Sequence, residues 1–204
     1  MGSDGADPRR GLKILAADED EQALEGTTAL LRELGHEVTA CAVTVAEAGR
    51  IIAQDEPDVS VVVVHEDDEH ALQLIEELGE YSSGPVIALL HGEDPEFVSR
   101  AAERGIFAYT RRPTSESIRG ALEVAMRRHA ETRALSKQVE QLESALERRA
   151  VIERAKGILM ERHSITEREA FDLLREHARA GSRRVVDMAR AVVDGHLLLP
   201  KTRD

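Results

Sequence analysis

Two sets of charged side chains in this sequence have the chemistry of a functional site. The first is an acidic pair, Asp18 and Glu19, which directly follows a short apolar run. Carboxylates can hold Mg²⁺, but without a third carboxylate we expect weak binding and no resident cofactor. Guanidinium groups pair with phosphate or guanine and stack on unpaired bases, so a basic set near the C-terminus is a candidate for nucleic-acid contact. That second set is Arg154, Lys156, Arg162, Arg175, Arg179, Arg183 and Arg184.

Two further features, residues 65–70 and Cys41, contain side chains that could bind a metal ion or react, but we do not expect the protein to use them in this way. Residues 65–70 contain two histidines and four carboxylates, but neighbours on one loop seldom converge on a single cation. We interpret them as a solvated acidic loop. Cys41 is the single cysteine, which excludes an internal disulfide, and we expect a small buried apolar residue there. The sequence has no nucleophile–base pair and no phosphate-binding glycine loop, so it does not predict an enzyme.

The formal net charge of −12 at pH 7 is unevenly distributed along the chain. Residues 1–125 carry 10 basic and 26 acidic side chains, a balance of −16, whereas residues 126–148 carry +1 and residues 149–204 carry +3. An acidic protein would ordinarily be a poor partner for nucleic acid. The distribution instead predicts a disordered tail at 1–10, an acidic domain at 11–125, a linker at 126–148 and a mildly basic domain at 149–204.

The pattern of residues 11–125 alternates between strand and helix. Apolar runs rich in β-branched residues predict strands at 13–17, 36–43, 59–64, 85–90 and 106–110. Helical periodicity fills the intervals, and capping signals at Thr44 and Asp94 mark two helix starts. We therefore predict an α/β fold with a five-stranded, parallel, doubly wound sheet of the flavodoxin-like kind. The binding crevice of such a sheet lies beyond the carboxyl ends of its strands.

Residues 11–125 resemble the receiver domain of two-component response regulators. The resemblance rests on Lys-Ile-Leu-Ala-Ala-Asp-Glu-Asp at 13–20, on Pro57-Asp58, on Pro85 and on Ala-Tyr-Thr-Arg-Arg-Pro at 108–113. It implies an acidic pair that holds Mg²⁺, an aspartate at the end of the third strand that accepts phosphate, a Thr or Ser, and a Lys. Together these groups serve phosphoryl transfer.

The residues that the resemblance makes functional are largely replaced in this chain. Val63, which has no nucleophilic atom, stands six residues after Pro57, where the phosphoacceptor is implied. We therefore expect a pseudo-receiver with no phosphoacceptor, and Asp67 in the following loop is the one substitute that we considered. Leucine takes the Thr/Ser position and arginine the Lys position. The resulting degenerate acidic pocket consists of Asp18, Glu19, Leu90, Tyr109 and Arg112.

A single long helix is predicted from 116 to about 162. Within it Leu135, Val139, Leu142 and Leu146 recur at spacings of four, three and four, which is the seam of a two-heptad coiled coil. Because these residues lie beyond the acidic domain, they would otherwise expose an apolar stripe. We expect them to form a dimer, and the alternative is a helix docked onto its own receiver-like domain.

The basic domain is predicted to contain three helices. The first continues the long helix, and a capping box at 166–169 begins the second, whose core stripe we expect to be Ala170, Phe171, Leu174 and Ala178. Ser182 is expected to cap the third. Gly157 lies inside the first helix, where glycine costs about 1 kcal/mol relative to alanine. Either packing against Phe171 or the close approach of a ligand would explain it.

The same segment resembles an ANTAR domain, the RNA-binding module of certain transcription antitermination regulators, over about residues 145–195. The matching residues are Val-Ile-Glu-Arg-Ala-Lys-Gly-Ile-Leu-Met at 151–160, Glu-Ala-Phe-Asp-Leu-Leu-Arg at 169–175, Asp-Met-Ala at 187–189 and Ala-Val-Val at 191–193. The resemblance implies that Gly157 and the seven basic residues named above contact RNA, with Lys156 and Arg175 as the foremost candidates.

Together with this resemblance, the observations predict a homodimeric regulator that binds structured RNA in nascent transcripts and prevents termination. The resemblance implies that the target is stem-loop RNA. Its input would be a sensor, a sequestering protein or a small ligand rather than phosphate. The alternatives are a phosphorylation-switched response regulator, a two-component signalling adaptor that acts through protein contacts, and a helix-turn-helix DNA-binding protein. No apolar run approaches the roughly 20 residues of a membrane span, so we expect a cytoplasmic protein with no membrane partner.

Overall fold

The structure is a computed structural model that describes residues 11–18, 20–42, 44–65, 68–92 and 94–195. Several predictions lie outside these residues, namely the disordered tail at 1–10, the role of Glu19 and the role of Asp67; the side chain of Cys41 is likewise outside the description. The chain divides into two compact units, and the division falls between Arg133 and Ala134. We call them the receiver-like unit and the C-terminal unit.

The receiver-like unit alternates strands and helices as predicted. Its described strands are β1 Lys13–Ala17, β2 Glu37–Ala42, β3 Val59–Val64, β4 Val86–Leu90 and β5 Ala108–Arg111. Its helices are α1 Glu21–Glu33, α2 Val45–Asp55, α3 Asp68–Tyr81, α4 Pro95–Glu103 and the first part of α5 Ser115–His163. The strands are all parallel and follow the order β2-β1-β3-β4-β5. This is the flavodoxin-like order, so the predicted fold class is confirmed.

The central strand β3 explains why the sheet is covered on both faces. All six of its residues are buried, and successive side chains of a strand point to opposite faces. Val62 and Val64 pack in a core with α2, α3 and α4, whereas Val61 and Val63 pack in a second core with α1 and α5. A strand buried on both faces must be apolar along its whole length, as this one nearly is.

The C-terminal unit contains the second part of α5, followed by α6 Glu167–Ala180 and α7 Val185–Val193. The three helices share one buried cluster. The capping box at the start of α6 is confirmed, because the Thr166 side chain accepts from the backbone of Glu169 and the Glu169 carboxylate accepts from the backbone of Thr166. No helix in the described part of the chain is long and apolar enough to cross a membrane.

Two local predictions for this unit are wrong. Phe171 is 38% exposed rather than in the core, because the buried face of α6 is centred on Ala170, Leu173 and Leu174, and Phe171 lies at its edge. Ser182 does not cap α7, because its φ of 51° places it in the left-handed region and not in the extended conformation of an N-cap. Arg184 occupies that position, with no side-chain capping bond.

Candidate functional site

In the crevice of the receiver-like unit, the side chains of Asp18 and His65 are hydrogen-bonded to each other. Asp18 follows β1 and is fully buried. Its Oδ1 accepts a hydrogen bond from the backbone N–H of Asp20 at 3.0 Å, which is the residue that caps α1. His65, directly after β3, brings its Nε2 to 2.9 Å from Oδ1 and 3.2 Å from Oδ2 of the same carboxylate. The carboxylate that the sequence assigned to weak Mg²⁺ binding is therefore engaged by the chain itself.

A second histidine extends this arrangement. His91 follows β4, and its ring stacks on that of His65 with the centroids 5.1 Å apart and the planes at 12°. We expected His65 in a solvated loop and assigned no chemical role to His91. A signal was present, because both residues directly follow strands whose carboxyl ends meet at one edge of the sheet. Among the described residues, no group of three or more His, Cys, Asp and Glu side chains is placed to hold a metal ion.

The other positions of the predicted pocket carry little chemistry. Val63 is 3% exposed, and its Cα lies opposite that of Leu89 in β4. Leu90 is buried, whereas Tyr109 is 40% exposed on β5. Arg112 is exposed, has a φ of 51°, and donates its backbone N–H to the carbonyl of Leu90 at 3.0 Å. Of the predicted pocket residues in the described part of the chain, Asp18 makes polar side-chain contacts, whereas Leu90 packs in the core of the unit.

The predicted coiled-coil seam is exposed to solvent in the single chain. Its four residues lie on α5 beyond Arg133, and their exposed fractions are between 52% and 67%. Large apolar side chains are rarely left exposed in a row on a monomer. The seam consists of Leu135, Val139, Leu142 and Leu146.

Most of the predicted basic contacts are exposed on the C-terminal unit. Arg175 lies 2.9 Å from Asp172, and Arg184 makes two bonds to Asp187 at 2.9 and 3.1 Å. The hydrogen bonds from Arg184 hold the pKa of Asp187 below its ordinary value. Among the predicted contacts, four exposed arginines have no ion pair with a described residue, namely Arg154, Arg162, Arg179 and Arg183.

Lys156 differs from these arginines because it is buried. Only 7% of the residue is exposed, and its Nζ lies 2.7 Å from both Glu153 on α5 and Glu167 on α6. Hydrogen bonds to the two carboxylates raise the pKa of Lys156, and the bond from Lys156 lowers the pKa of Glu167. The side chain thus joins two helices of the unit. Its contact with RNA stays a prediction.

Gly157 has no internal reason to lack a side chain. The residue is exposed, and a Cβ added to it would meet no atom within 4 Å. The explanation that Gly157 lets α5 pack against Phe171 is therefore wrong. The second explanation, the close approach of a molecule outside the chain, stays a prediction.

Two residues beside the predicted contacts were missed by the sequence analysis. Phe171 was assigned to the core, and Arg168 was not considered. Arg168 is exposed and, among the described residues, has no ion pair. Both lie on α6, where Phe171 is three residues after Arg168 and four before Arg175. Residues at these spacings are neighbours on a helix surface.

Comparisons with known proteins agree with this architecture. Residues 140–193 match the ANTAR domain family. The chain is 30% identical over 177 residues to the transcriptional regulatory protein PdtaR of Mycobacterium tuberculosis, covering 86% of this chain and 85% of that protein. It is also 33% identical over 106 residues to the nitrate regulatory protein of Klebsiella oxytoca, covering 52% of this chain and 26% of that protein.

Solved structures share the fold of the receiver-like unit. One is the signal receiver domain of a modulated diguanylate cyclase from Desulfovibrio desulfuricans, with a TM-score of 0.52, 19% identity, and coverage of 60% of this chain and 98% of that one. Another is the signal receiver domain of an HD domain-containing protein from Pseudomonas fluorescens, with a TM-score of 0.50, 24% identity, and coverage of 60% and 99%. Together with the ANTAR match and the full-length relative, they identify the chain as a member of the ANTAR-domain transcription antitermination regulators that carry an N-terminal receiver-like domain.

Proposed function

We propose that this protein binds stem-loop RNA in nascent transcripts through its ANTAR segment and thereby prevents termination. Bound protein would stabilise an RNA fold that competes with the terminator. No covalent chemistry is required. The bases of a hairpin loop are unpaired and accessible to side chains, which favours the loop over the stem as the element that is recognised.

The observation that carries this proposal is the arginine-rich exterior of the C-terminal unit. Four of the predicted contacts are exposed arginines with no acidic partner among the described residues: Arg154, Arg162, Arg179 and Arg183. A guanidinium that is not engaged within the chain is available to phosphate and to base edges. Gly157, with open space where a Cβ would be, would let an RNA backbone approach α5 closely.

Dimerisation is the second part of the proposal. Residues 149–204 carry a surplus of only +3, so long-range electrostatics alone would bind RNA weakly. Two ANTAR segments joined through the leucine-rich seam would bind paired stem-loops with the added affinity of a bivalent contact. The seam's exposure in the single chain supports this arrangement.

Regulation would not depend on aspartyl phosphorylation. Val63 offers only methyl groups at the end of β3, and Asp18 is already bound to His65. The receiver-like unit would then act as a docking surface for a sensor or a sequestering protein. The test is to treat the full chain with a small phosphodonor and Mg²⁺ and to follow the intact mass. We expect no phosphoryl adduct, and a hydroxylamine-sensitive adduct would overturn this part of the proposal.

The test of RNA binding is crosslinking of the full chain to cellular RNA, followed by sequencing of the bound fragments. We expect hairpin sequences to be enriched, and duplex DNA to compete poorly against the best hairpin. The Arg179→Ala chain should bind that hairpin roughly tenfold more weakly, with a salt dependence reduced by about one counterion. The Arg32→Ala chain, which removes the same charge from α1 of the receiver-like unit, is the matched control and should bind normally.

Two results would count against the proposal. If no hairpin binds the wild-type chain in a salt-sensitive manner, the protein is better explained as an adaptor that acts through protein contacts. If duplex DNA displaces the hairpin at equal concentration, a DNA-binding function replaces the RNA-binding one.

A further inference from the structure

Phe171 is an aromatic residue that the fold does not need to bury. It is the single Phe, Tyr or Trp in residues 134–204, and 38% of it is exposed. The buried face of α6 is complete without it, since Ala170, Leu173, Leu174 and Ala178 fill that face. A phenyl ring at the edge of a closed core presents an apolar surface to solvent, and this surface has no partner in the contacts that the described residues make.

The charges around Phe171 are those of a site for an anion. Arg168 and Arg175 flank it at three and four residues, and these spacings place them beside the ring on the surface of the helix. Arg179 follows one turn later on the same side as Arg175. Two positive side chains, Arg168 and Arg175, are therefore helix-surface neighbours of the ring, and Arg179 extends the positive charge one turn further along α6.

The acidic residues of α6 near the ring are already engaged. Glu167 binds Lys156 at 2.7 Å. Glu169 closes the capping box with Thr166. Asp172 binds one nitrogen of Arg175 at 2.9 Å, and a guanidinium has further donors that this bond does not use. The positive charge beside Phe171 is therefore carried by Arg168, which has no ion pair among the described residues, and by the donors of Arg175 that Asp172 leaves unused.

We propose that Phe171 stacks on an unpaired RNA base while Arg168 and Arg175 contact the phosphates on either side of that base. This inference rests on the proposed RNA binding and names its recognition element, a single-stranded loop nucleotide. An exposed ring between two guanidinium groups matches an alternation of base and phosphate in an unpaired strand. A paired stem offers no such match, because its base faces are covered by their neighbours.

A second copy of this chain fits the same surface poorly. In a two-fold symmetric contact the same patch lies on both partners, so Arg168, Arg175 and Arg179 of one copy would face the same residues of the other. Like charges at such a contact oppose association. The apolar seam for self-association lies elsewhere, on α5 between Leu135 and Leu146.

The experiment uses the full chain and a hairpin selected by the wild-type protein from a pool with a randomised loop. The Phe171→Leu chain keeps an apolar side chain but loses the ring, and we expect it to bind roughly 5- to 150-fold more weakly, the range expected for one base–aromatic stack. Its salt dependence should equal that of the wild type. The Arg168→Gln and Arg175→Gln chains should instead each lower the salt dependence by about one counterion.

The absence of tryptophan from the sequence gives a direct readout of stacking. The Phe171→Trp chain should bind the hairpin at least as well as the wild type, and its single indole should be quenched on binding. An abasic nucleotide at one loop position should weaken wild-type binding and remove both the quenching and the penalty of Phe171→Leu. Thermal unfolding of each chain checks that the fold is retained.

The outcomes separate this inference from the function on which it rests. If the wild type binds no hairpin, the proposed function fails and the inference with it. If the wild type binds and the Phe171→Leu chain binds equally well, the inference is overturned and the function stands. If Phe171→Leu alters only sedimentation and leaves RNA affinity unchanged, the ring belongs to a contact between copies and the inference is again overturned.

Discussion

The candidate site residues of the two units lie in different environments. In the receiver-like unit, the carboxylate at the expected site of chemistry is fully buried and bound to His65. In the C-terminal unit, the guanidinium groups of four arginines point to solvent without an acidic partner among the described residues. A polar site that the chain satisfies internally needs no ligand, whereas charges that stay unsatisfied are available to one. The difference supports the proposal that ligand binding takes place outside the crevice of the receiver-like unit.

The same contrast holds for apolar residues. The valines of β3 are enclosed on both faces of the sheet, whereas the leucines of the α5 seam are more than half exposed. Burial of β3 contributes to stability within the chain. The seam can contribute only if another surface covers it, because exposed apolar area gains nothing from folding.

The strongest test of this contrast disrupts the seam. The chain carrying Leu142→Glu and Leu146→Glu should be monomeric by sedimentation, because four carboxylates would meet in the dimer contact. Its affinity for paired hairpins should fall by about 100-fold or more through loss of the bivalent contact. The receiver-like unit should remain folded. A monomer that retains full affinity for paired hairpins would show that the exposed seam has no role in binding.

The next test compares the removal of a buried, paired charge with the removal of an exposed charge that is unpaired among the described residues. Lys156→Met leaves Glu153 and Glu167 without their shared cation, so the melting temperature of the C-terminal unit should fall by several degrees. Arg154→Met removes a charge two residues away that has no ion pair among the described residues, and it should leave the melting temperature unchanged. Equal effects of the two substitutions would mean that the distinction between inward and outward charges is wrong.

The fold could be predicted from the sequence more completely than the site. The run at Val59–Val64 is apolar at nearly every position, and only a strand covered on both faces fits it. The pairing of Asp18 with His65 depends instead on two strand ends, separated by 47 positions, meeting at one edge of the sheet. The parallel topology implies that the two strand ends lie close together. It does not determine which side chains face each other there.

The same limit applies to the C-terminal unit. Lys156 and Arg154 look equivalent in the sequence, and one is buried because Glu167 on the next helix faces it. The exposure of Phe171 depends on the direction in which α6 packs. Helical periodicity places the edge of the apolar face of α6 only to within one residue, and Phe171 lies at that edge.

Gly157 offers a test in which stability and binding should move in opposite directions. Because a Cβ at this exposed helical position meets no atom within 4 Å, Gly157→Ala should stabilise the C-terminal unit by about 0.5–1 kcal/mol. If RNA approaches the backbone here, the same methyl group should weaken hairpin binding. Denaturant unfolding and hairpin titration measure the two effects. Gly120→Ala, at another exposed position of α5 with open space, should stabilise without weakening binding.

The smallest expected effect concerns acid, because the groups with shifted pKa values in the two units titrate in different pH ranges. Burial lowers the pKa of His129, which also bonds to the Ser83 carbonyl, and burial together with Arg119 lowers the pKa of His36. Each histidine therefore binds protons more readily in the unfolded chain. Its contribution to the stability of the receiver-like unit is present above about pH 6.5, the ordinary value of histidine, and is lost as the pH falls through the lower, folded value.

The ion pairs of the C-terminal unit respond at a lower pH. Lys156 lowers the pKa of Glu167, so this carboxylate stabilises the unit above its ordinary value of about 4.5 and loses that contribution only below it. Between pH 7 and 5, hydrogen exchange on the full chain, corrected for intrinsic rates, should show protection falling mainly in the receiver-like unit. His129→Gln should reduce that fall, while Glu167→Gln should lower protection of the C-terminal unit without changing its response across this range. Parallel loss of protection in both units would contradict the assignment, because the groups with shifted pKa values would then not govern the acid response.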